Sequence, residues 1–217
     1  MNIIRNIYCV GRNYQEHAVE LGNSVPDAPM FFSKPTHAAA YMDNAELNLP
    51  GDQGEVHYEA ELVLFVEKDY LPGMRPEDCI GQMTVGIDFT LLDVQSVLKK
   101  KGHPWLLAKG FKGSALLGKW LPFPGMEGLS QTDFQLLKNG EVVQRGQIQD
   151  MIFNLQALLE FCSQHYGLGA GDVLFTGTPA GVGPVYDGDK LMLKWGAESV
   201  GQCTVKLSSS EELRAKG

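Results

Sequence analysis

The amino-acid sequence predicts an α+β fold, on three observations. Short runs rich in Val, Ile, Leu and Phe recur along the chain, each closed by Gly, Pro, Asn or Asp. Lys138-Asn139-Gly140 separates two such runs, and Asn-Gly in that setting is a hairpin signature. Residues 154–166 carry Leu155, Leu158, Leu159 and Cys162 at the spacing of an amphipathic helix, with Gly167 just past its end.

Composition narrows the class. With 217 residues, 44% hydrophobic and 20% charged, the chain suffices for one large core, and no Pro/Ser/Gly-rich linker divides it. Residues 1–217 therefore read as a single domain. A net charge of -8 argues against a nucleic-acid partner, and the one basic run, Lys99 to Lys101, reads as a solvated helix end. The N-terminal residues lack the pattern of an export signal, and no apolar run approaches the length of a membrane span, so the expectation is a cytoplasmic protein without a membrane partner. Four widely spaced cysteines, Cys9, Cys79, Cys162 and Cys203, form no Cys-x-x-Cys pair and read as buried, reduced thiols.

In chain order, residues 3–10 lean to a strand that ends in the turn Gly11-Arg12-Asn13-Tyr14. A short helix over 15–21 would place His17 and Glu20 on one face. A carboxylate holding an imidazole in that way suits a general base, although such pairs also arise on helix surfaces without a role. A loop over 22–29 leads to a strand at 30–35 that stops at Pro35, and residues 36–53 read as a polar connection turning at Pro50-Gly51-Asp52. Pro76-Glu77-Asp78 reads as the first turn of a helix whose body is residues 79–83. Residues 84–90 form a β-rich run carrying one carboxylate, Asp88, which needs a partner in such company. A helix over 91–101 has Asp93 and Gln95 near its start, and Gly102-His103-Pro104-Trp105 ends it.

Lys109 then sits between small and aromatic residues, where an ammonium is either desolvated and electrophilic or simply exposed. Residues 173–175 predict a strand running into Thr176-Gly177-Thr178-Pro179-Ala180-Gly181-Val182-Gly183-Pro184, a backbone able to approach a ligand closely. It lacks the Lys-Ser/Thr ending of a phosphate loop. Strands over 190–195 and 199–207 close the fold, and residues 208–217 read as a loose tail.

The stretch of most chemical interest is residues 54–66, Gly-Glu-Val-His-Tyr-Glu-Ala-Glu-Leu-Val-Leu-Phe-Val. As one strand it would point His57, Glu59 and Glu61 the same way, with the carboxylates roughly 6.6 Å apart at the backbone. Like charges in an apolar strand are costly unless a cation lies between them. Oxygen ligands favour Mg²⁺, Mn²⁺ or Ca²⁺ over Zn²⁺. The alternative is a half-exposed edge strand with two solvated glutamates.

Six pieces now occur in order: Gly11-Arg12-Asn13-Tyr14 with His17 and Glu20; Val56-His57-Tyr58-Glu59-Ala60-Glu61; Asp88-Phe89-Thr90 with Asp93 and Gln95; Pro104-Trp105 before Ala108-Lys109-Gly110-Phe111; Asn139-Gly140-Glu141; and Gly171-Asp172-Val173 leading to Thr176-Gly177-Thr178-Pro179. Together they resemble the fumarylacetoacetate hydrolase family over nearly the whole chain, and most closely its short acylpyruvase and oxaloacetate decarboxylase members. The resemblance implies a mixed β-sheet roll decorated by short helices, a single catalytic domain, and a homodimer. It implies Mg²⁺ or Mn²⁺ held by Glu59, Glu61 and Asp88. It further implies a His17/Glu20 dyad on a mobile lid, about residues 11–30, and Lys109 as stabiliser of a developing oxyanion or enolate. Arg12, Gln95 and Thr178 are the implied substrate contacts. Two positions depart from the family's usual pattern: Leu92 stands where arginine is common, and Lys112 where aspartate is common.

The activity so implied is hydrolysis of a carbon-carbon bond in a 2,4-dioxo acid, an acylpyruvate such as fumarylpyruvate or acetylpyruvate, to pyruvate and a carboxylic acid. The alternative is decarboxylation of oxaloacetate, or enol/keto isomerisation of a related oxo acid, through the same metal enolate. A non-catalytic oxo-acid-binding or structural dimer that keeps the fold is the reading from a different class.

Overall fold

The computed structural model describes residues 3–15, 26–209 and 212. Among them the strands form three sheets. The largest runs in the order β2 (Met30–Lys34), β1 (Ile7–Gly11), β13 (Val173–Phe175), β6 (Ala60–Val66), β7 (Ile80–Asp88), β9 (Ala115–Leu117) and β3 (Ala39–Tyr41), with β10 (Leu121–Pro122) paired to β7. A second sheet orders β12 (Glu141–Gly146), β11 (Phe134–Lys138), β15 (Lys190–Trp195), β16 (Glu198–Ser208) and β4 (Glu46–Pro50). A small third one joins β14 (Gly183–Pro184), β5 (Val56–Tyr58) and β8 (Thr90–Leu91). Parallel and antiparallel pairs coexist, as β1 with β13 and β16 with β4 are parallel while most others are antiparallel. The expected mixed β-sheet roll with short helices is what the chain adopts.

β6 explains the continuous apolar run read from the sequence. All seven of its residues are buried. Leu62, Leu64 and Val66 join the core shared with the second sheet and with the helix Leu155–Tyr166, while Val63 and Phe65 pack into a separate cluster on the opposite face with Ile7, Cys9 and Phe175. A strand covered on both faces loses the polar alternation of a half-exposed one.

Local chemistry accounts for the elements read correctly. Asn139 and Gly140 have φ of 55° and 90°, the two left-handed positions of a type I′ hairpin turn. Asn154 caps the helix Leu155–Tyr166 by accepting from the Ala157 N–H at 3.0 Å, and Gly167 ends it at φ 81°. The four cysteines are buried and unpaired, and burial pushes the thiol of Cys79 up to about 11 and those of Cys162 and Cys203 up to about 12. No helix among the described residues is long and apolar enough to cross a membrane.

The differences from the sequence reading are non-local in origin. The helix at Pro76 stops at Cys79, and residues 80–83 instead open β7, because Ile80 to Gln82 pair with β6 and β10. Residues 36–53 contain β3 and β4, whose parallel partners lie over seventy-five and over a hundred and fifty residues further on, Ala39 pairing with Ala115 and Glu46 with Thr204. No nearby turn announces such a pairing. The run 54–66 is two strands that part at Glu59.

Candidate metal and active site

That parting builds the site. Antiparallel register is the same on both sides of it, with His57 opposite Thr90 and Ala60 opposite Ile87, yet β5 and β8 belong to the small sheet while β6 and β7 belong to the large one. The two runs change sheets at Glu59 and at Phe89, and the Asp88 N–H donates to the Glu59 carbonyl at 2.8 Å. Glu59 and Asp88 therefore face each other at a corner, and Glu61 lies two residues into β6. Side-chain oxygens of Glu59, Glu61 and Asp88 all come within 4.8 Å of one another, the spread that a hard divalent ion with bonds of roughly 2.0–2.6 Å imposes on its ligands. His57 does not join them, because it hydrogen-bonds Glu55 at 3.0 Å.

Two buried ammoniums hold this acid cluster together. Lys109, at the C-terminal end of the short helix Leu106–Lys109, donates to Asp88 Oδ2 at 2.7 Å and to both Glu59 oxygens at 3.0 Å. Burial alone would lower its pKa, but Asp88 and Glu59 outweigh that and hold it well above the ordinary lysine value. Lys34, at the end of β2, reaches Asp88 Oδ1 at 2.6 Å with both side chains fully buried. It also donates to the carbonyls of Phe89 and Lys109, tying the Lys109 helix end to the corner. Thr90 donates to Glu59 Oε1 at 2.8 Å.

Glu61 has a different environment. Its Oε2 accepts from the Gly177 N–H at 2.7 Å. Burial, then Asp88, then Glu59 push its carboxyl well above the usual carboxylate range, against the opposing pull of that N–H and of Lys109. Three carboxylates against two ammoniums leave one negative charge in excess in a buried place, a charge that a bound cation would balance. An all-oxygen donor set with that charge fits Mg²⁺, Mn²⁺ or Ca²⁺.

The loop over Thr176 to Pro179 is pinned beside the glutamates. Gly177 lies at φ +100°, where a Cβ would stand 2.7 Å from the Asn13 Cβ, so glycine is what lets this backbone amide reach Glu61. Fully buried Asn13 donates to the carbonyls of Thr176 at 2.8 Å and Phe153 at 3.1 Å and accepts from the Phe153 N–H at 2.8 Å. Gln144 of β12 accepts from the Ala60 N–H at 2.8 Å and donates to Thr178 Oγ1 at 2.9 Å and the Pro179 carbonyl at 3.0 Å. Thr178 in turn donates to the Ala60 carbonyl at 2.8 Å.

The structure thus brings Glu59, Glu61, Asp88 and Lys109 into one cluster, with Thr178 fixed beside Glu59 and Glu61 through Ala60. Gln95 is buried in the helix Leu92–Lys101, and Arg12 follows β1 at φ 58°. Lys112 is exposed. His17 and Glu20, with the short helix and most of the lid segment expected around them, lie outside the described residues. Sequence reading missed Lys34, Asn13, Thr90 and Gln144. Lys34 had one usable signal, a lone lysine closing an apolar strand before proline; the others act through partners more than thirty residues away.

Comparison with known proteins gives the family. The fumarylacetoacetate (FAA) hydrolase C-terminal domain matches residues 6–208, and the chain belongs to the fumarylacetoacetate hydrolase family. It is 39% identical over 190 residues to "Oxaloacetate tautomerase fahd-1, mitochondrial" of Caenorhabditis elegans, covering 87% of this chain and 88% of that protein. It is 34% identical over 189 residues to "Oxaloacetate decarboxylase, mitochondrial" of Dictyostelium discoideum, covering 85% of each. Among solved structures it resembles the fumarylpyruvate hydrolase from Pseudomonas aeruginosa in complex with Mn²⁺ and pyruvate, with a TM-score of 0.86 and 33% identity over 95% of this chain and 91% of that one.

Proposed function

We propose that this protein is a divalent-metal-dependent oxaloacetate tautomerase, interconverting the enol and keto forms of oxaloacetate. The observation that carries the reading is the Lys109 ammonium 2.7 Å from Asp88 and 3.0 Å from Glu59, a fixed cation at the edge of a cluster of three carboxylates. Such a site stabilises an enolate, the species that tautomerisation, decarboxylation and acylpyruvate cleavage have in common. The names of the relatives favour the first of these over carbon-carbon hydrolysis, which the sequence alone placed ahead.

A bound Mg²⁺ or Mn²⁺ would supply Lewis acidity to the 2-oxo oxygen and neighbouring carboxylate of the substrate. Glu59, Glu61 and Asp88 would hold that ion. Lys109 places a permanent positive charge where the oxygen becomes negative, and Lys34 keeps Asp88 and the Lys109 helix end in position. Tautomerisation then takes one proton from the enol oxygen and delivers one to C3, consuming no water and breaking no carbon-carbon bond. His17, oriented by Glu20, is the proposed proton carrier.

The test is the decay of enol-oxaloacetate absorbance in the ultraviolet, followed with protein plus Mg²⁺ and again with excess chelator. Catalysed decay that stops on chelation is expected, and a rate equal to the uncatalysed one refutes the proposal. The structural likeness to a fumarylpyruvate hydrolase supports acylpyruvate cleavage as the second reading. Faster pyruvate release from acylpyruvates than enol decay from oxaloacetate would put it first.

A further inference from the structure

In the sequence Lys138 stands out only as the neighbour of Asn139-Gly140, yet its side chain leaves the hairpin for the small sheet. Its Nζ donates to the Pro184 carbonyl at 3.0 Å and lies over two aromatic rings, 5.6 Å from the centroid of Tyr58 and 5.4 Å from that of Tyr186. Asp189 Oδ2 stands 3.9 Å away. That aspartate is buried and fixed in its turn, accepting from the Asn139 side-chain amide at 2.7 Å and from the Tyr186 N–H at 2.8 Å. One largely buried ammonium thus ties the end of β11 to both β14 and β5.

The small sheet needs such a tie. β14 and β8 are two residues long, and each pairs with β5 at two positions: Pro184 and Gly183 lie opposite His57 and Tyr58, and Thr90 and Leu91 opposite His57 and Val56. Ladders that short are marginal alone and take their geometry from the elements packed on them. β5 ends at Tyr58, so the backbone that carries Glu59 begins where the cage around Lys138 closes. On the β8 side of the corner, Thr90 and Lys109 hold Glu59 directly. On the β14 side, Lys138 holds the strand from which Glu59 departs.

We propose that Lys138 is a positioning residue for the metal site: it fixes Tyr58 and β14, and through them the place from which Glu59 presents its carboxylate. This rests on the metal-site reading above and concerns how that site is built, whichever oxo acid enters it. A ring face and a carbonyl oxygen both attract an ammonium, and neither draws it towards the carboxylate cluster.

The experiment compares the full-length protein with Lys138→Met, which keeps an apolar stem and removes the charge, and with Lys138→Arg, which keeps the charge and still stacks on aromatic faces. In hydrogen exchange of the metal-free protein, the amides of β5 should exchange about tenfold faster in Lys138→Met, the worth of one charge-assisted hydrogen bond, while those of β6 keep their rate. Direct titration with Mn²⁺ should show affinity at least about threefold weaker in that variant, less than the tenfold to hundredfold typical of partners that bond a ligand directly. Lys138→Arg should retain most of both values. Lys206→Met, which breaks the exposed pair with Asp187 at 3.2 Å, should change neither. Tyr186→Leu removes one ring of the cage at an exposed position and should shift both values in the same direction by less. Unchanged exchange in β5 overturns the proposal, and so does exchange raised equally in β5 and β6, which marks a general loss of stability. If Lys138→Met does not fold, unchanged β5 exchange in Tyr186→Leu overturns it. Faster β5 exchange with unaltered Mn²⁺ affinity overturns it too, since Glu59 would then keep its place without Lys138. No Mn²⁺ binding by the unmodified protein overturns the metal-site reading and the proposal together. Mn²⁺ affinity that responds to Lys138→Met, in a protein without enol turnover, overturns the tautomerase reading and leaves the positioning role standing.

Discussion

Gln144→Leu is the sharpest test of how the second sheet holds the site. The carboxamide is 1% exposed and makes three hydrogen bonds, to Ala60, Thr178 and Pro179, at 2.8, 2.9 and 3.0 Å. Leucine nearly matches its volume, so the change removes the bonds without opening a cavity. Each neutral hydrogen bond is worth about 1 kcal/mol net, and the buried Ala60 N–H and Pro179 carbonyl left behind add desolvation penalty. Destabilisation of about 3 kcal/mol follows. In urea, with a slope of about 2 kcal/mol per molar, the unfolding midpoint should fall by about 1.5 M at unchanged slope. Function should change as well, because Ala60 lies between Glu59 and Glu61, and Thr178 loses one of its two anchors. Mn²⁺ affinity should fall and KM for the oxo acid should rise, the fold remaining intact by near-ultraviolet circular dichroism. A loss of stability below about 1 kcal/mol with unaltered metal binding would refute the reasoning.

Three further outcomes are expected. Glu61→Gln removes one ligand charge and should weaken Mn²⁺ binding by more than about tenfold in a direct titration, while relieving the buried negative excess and so leaving metal-free stability unchanged or higher; unaltered Mn²⁺ affinity would exclude Glu61 from the site. Gly177→Ala forces a Cβ against Asn13 at a φ that side chains avoid and should cost about 2 kcal/mol or more, together with the amide contact to Glu61; a fully active variant of unchanged melting temperature would contradict it. The thiols of Cys79, Cys162 and Cys203 are raised from an ordinary 9.0, so their neutral forms are favoured by folding. Their contribution to stability is present in full below pH 9 and is lost as pH rises towards 11 and 12. At pH 8 the native protein should label slowly with a disulfide reagent and rapidly in urea, and equal rates would show that these thiols are accessible.

The chemistry was legible because it is encoded by residue type in short windows. Two glutamates two apart in an apolar run, an aspartate alone in a second such run, and a lysine among small and aromatic residues each violate the composition around them, and such local violations are where function is expected. Asn139-Gly140 and Asn154 with Gly167 were equally readable, since turn and cap preferences depend on a few neighbouring backbone angles.

Tertiary structure decided everything that depends on a distant partner. The sequence by itself marked Glu59, Glu61 and Asp88 as carboxylates that are costly in apolar strands unless something positive lies beside them. Only the change of sheets at Glu59 and Phe89 turned a spacing of two residues into three oxygen ligands within 4.8 Å. The same holds for β7, where pairing with β6 and β10 overrode the helix expected at residues 79–83. It holds again for Lys34 and Gln144, whose neighbours in the chain say nothing about what they touch. A residue's intrinsic preference is worth a few tenths of a kcal/mol to about one, whereas burial and pairing with a partner strand or buried charge are worth several. Where the two disagree the distant contact prevails, and in this chain those contacts converge on the corner that holds the site.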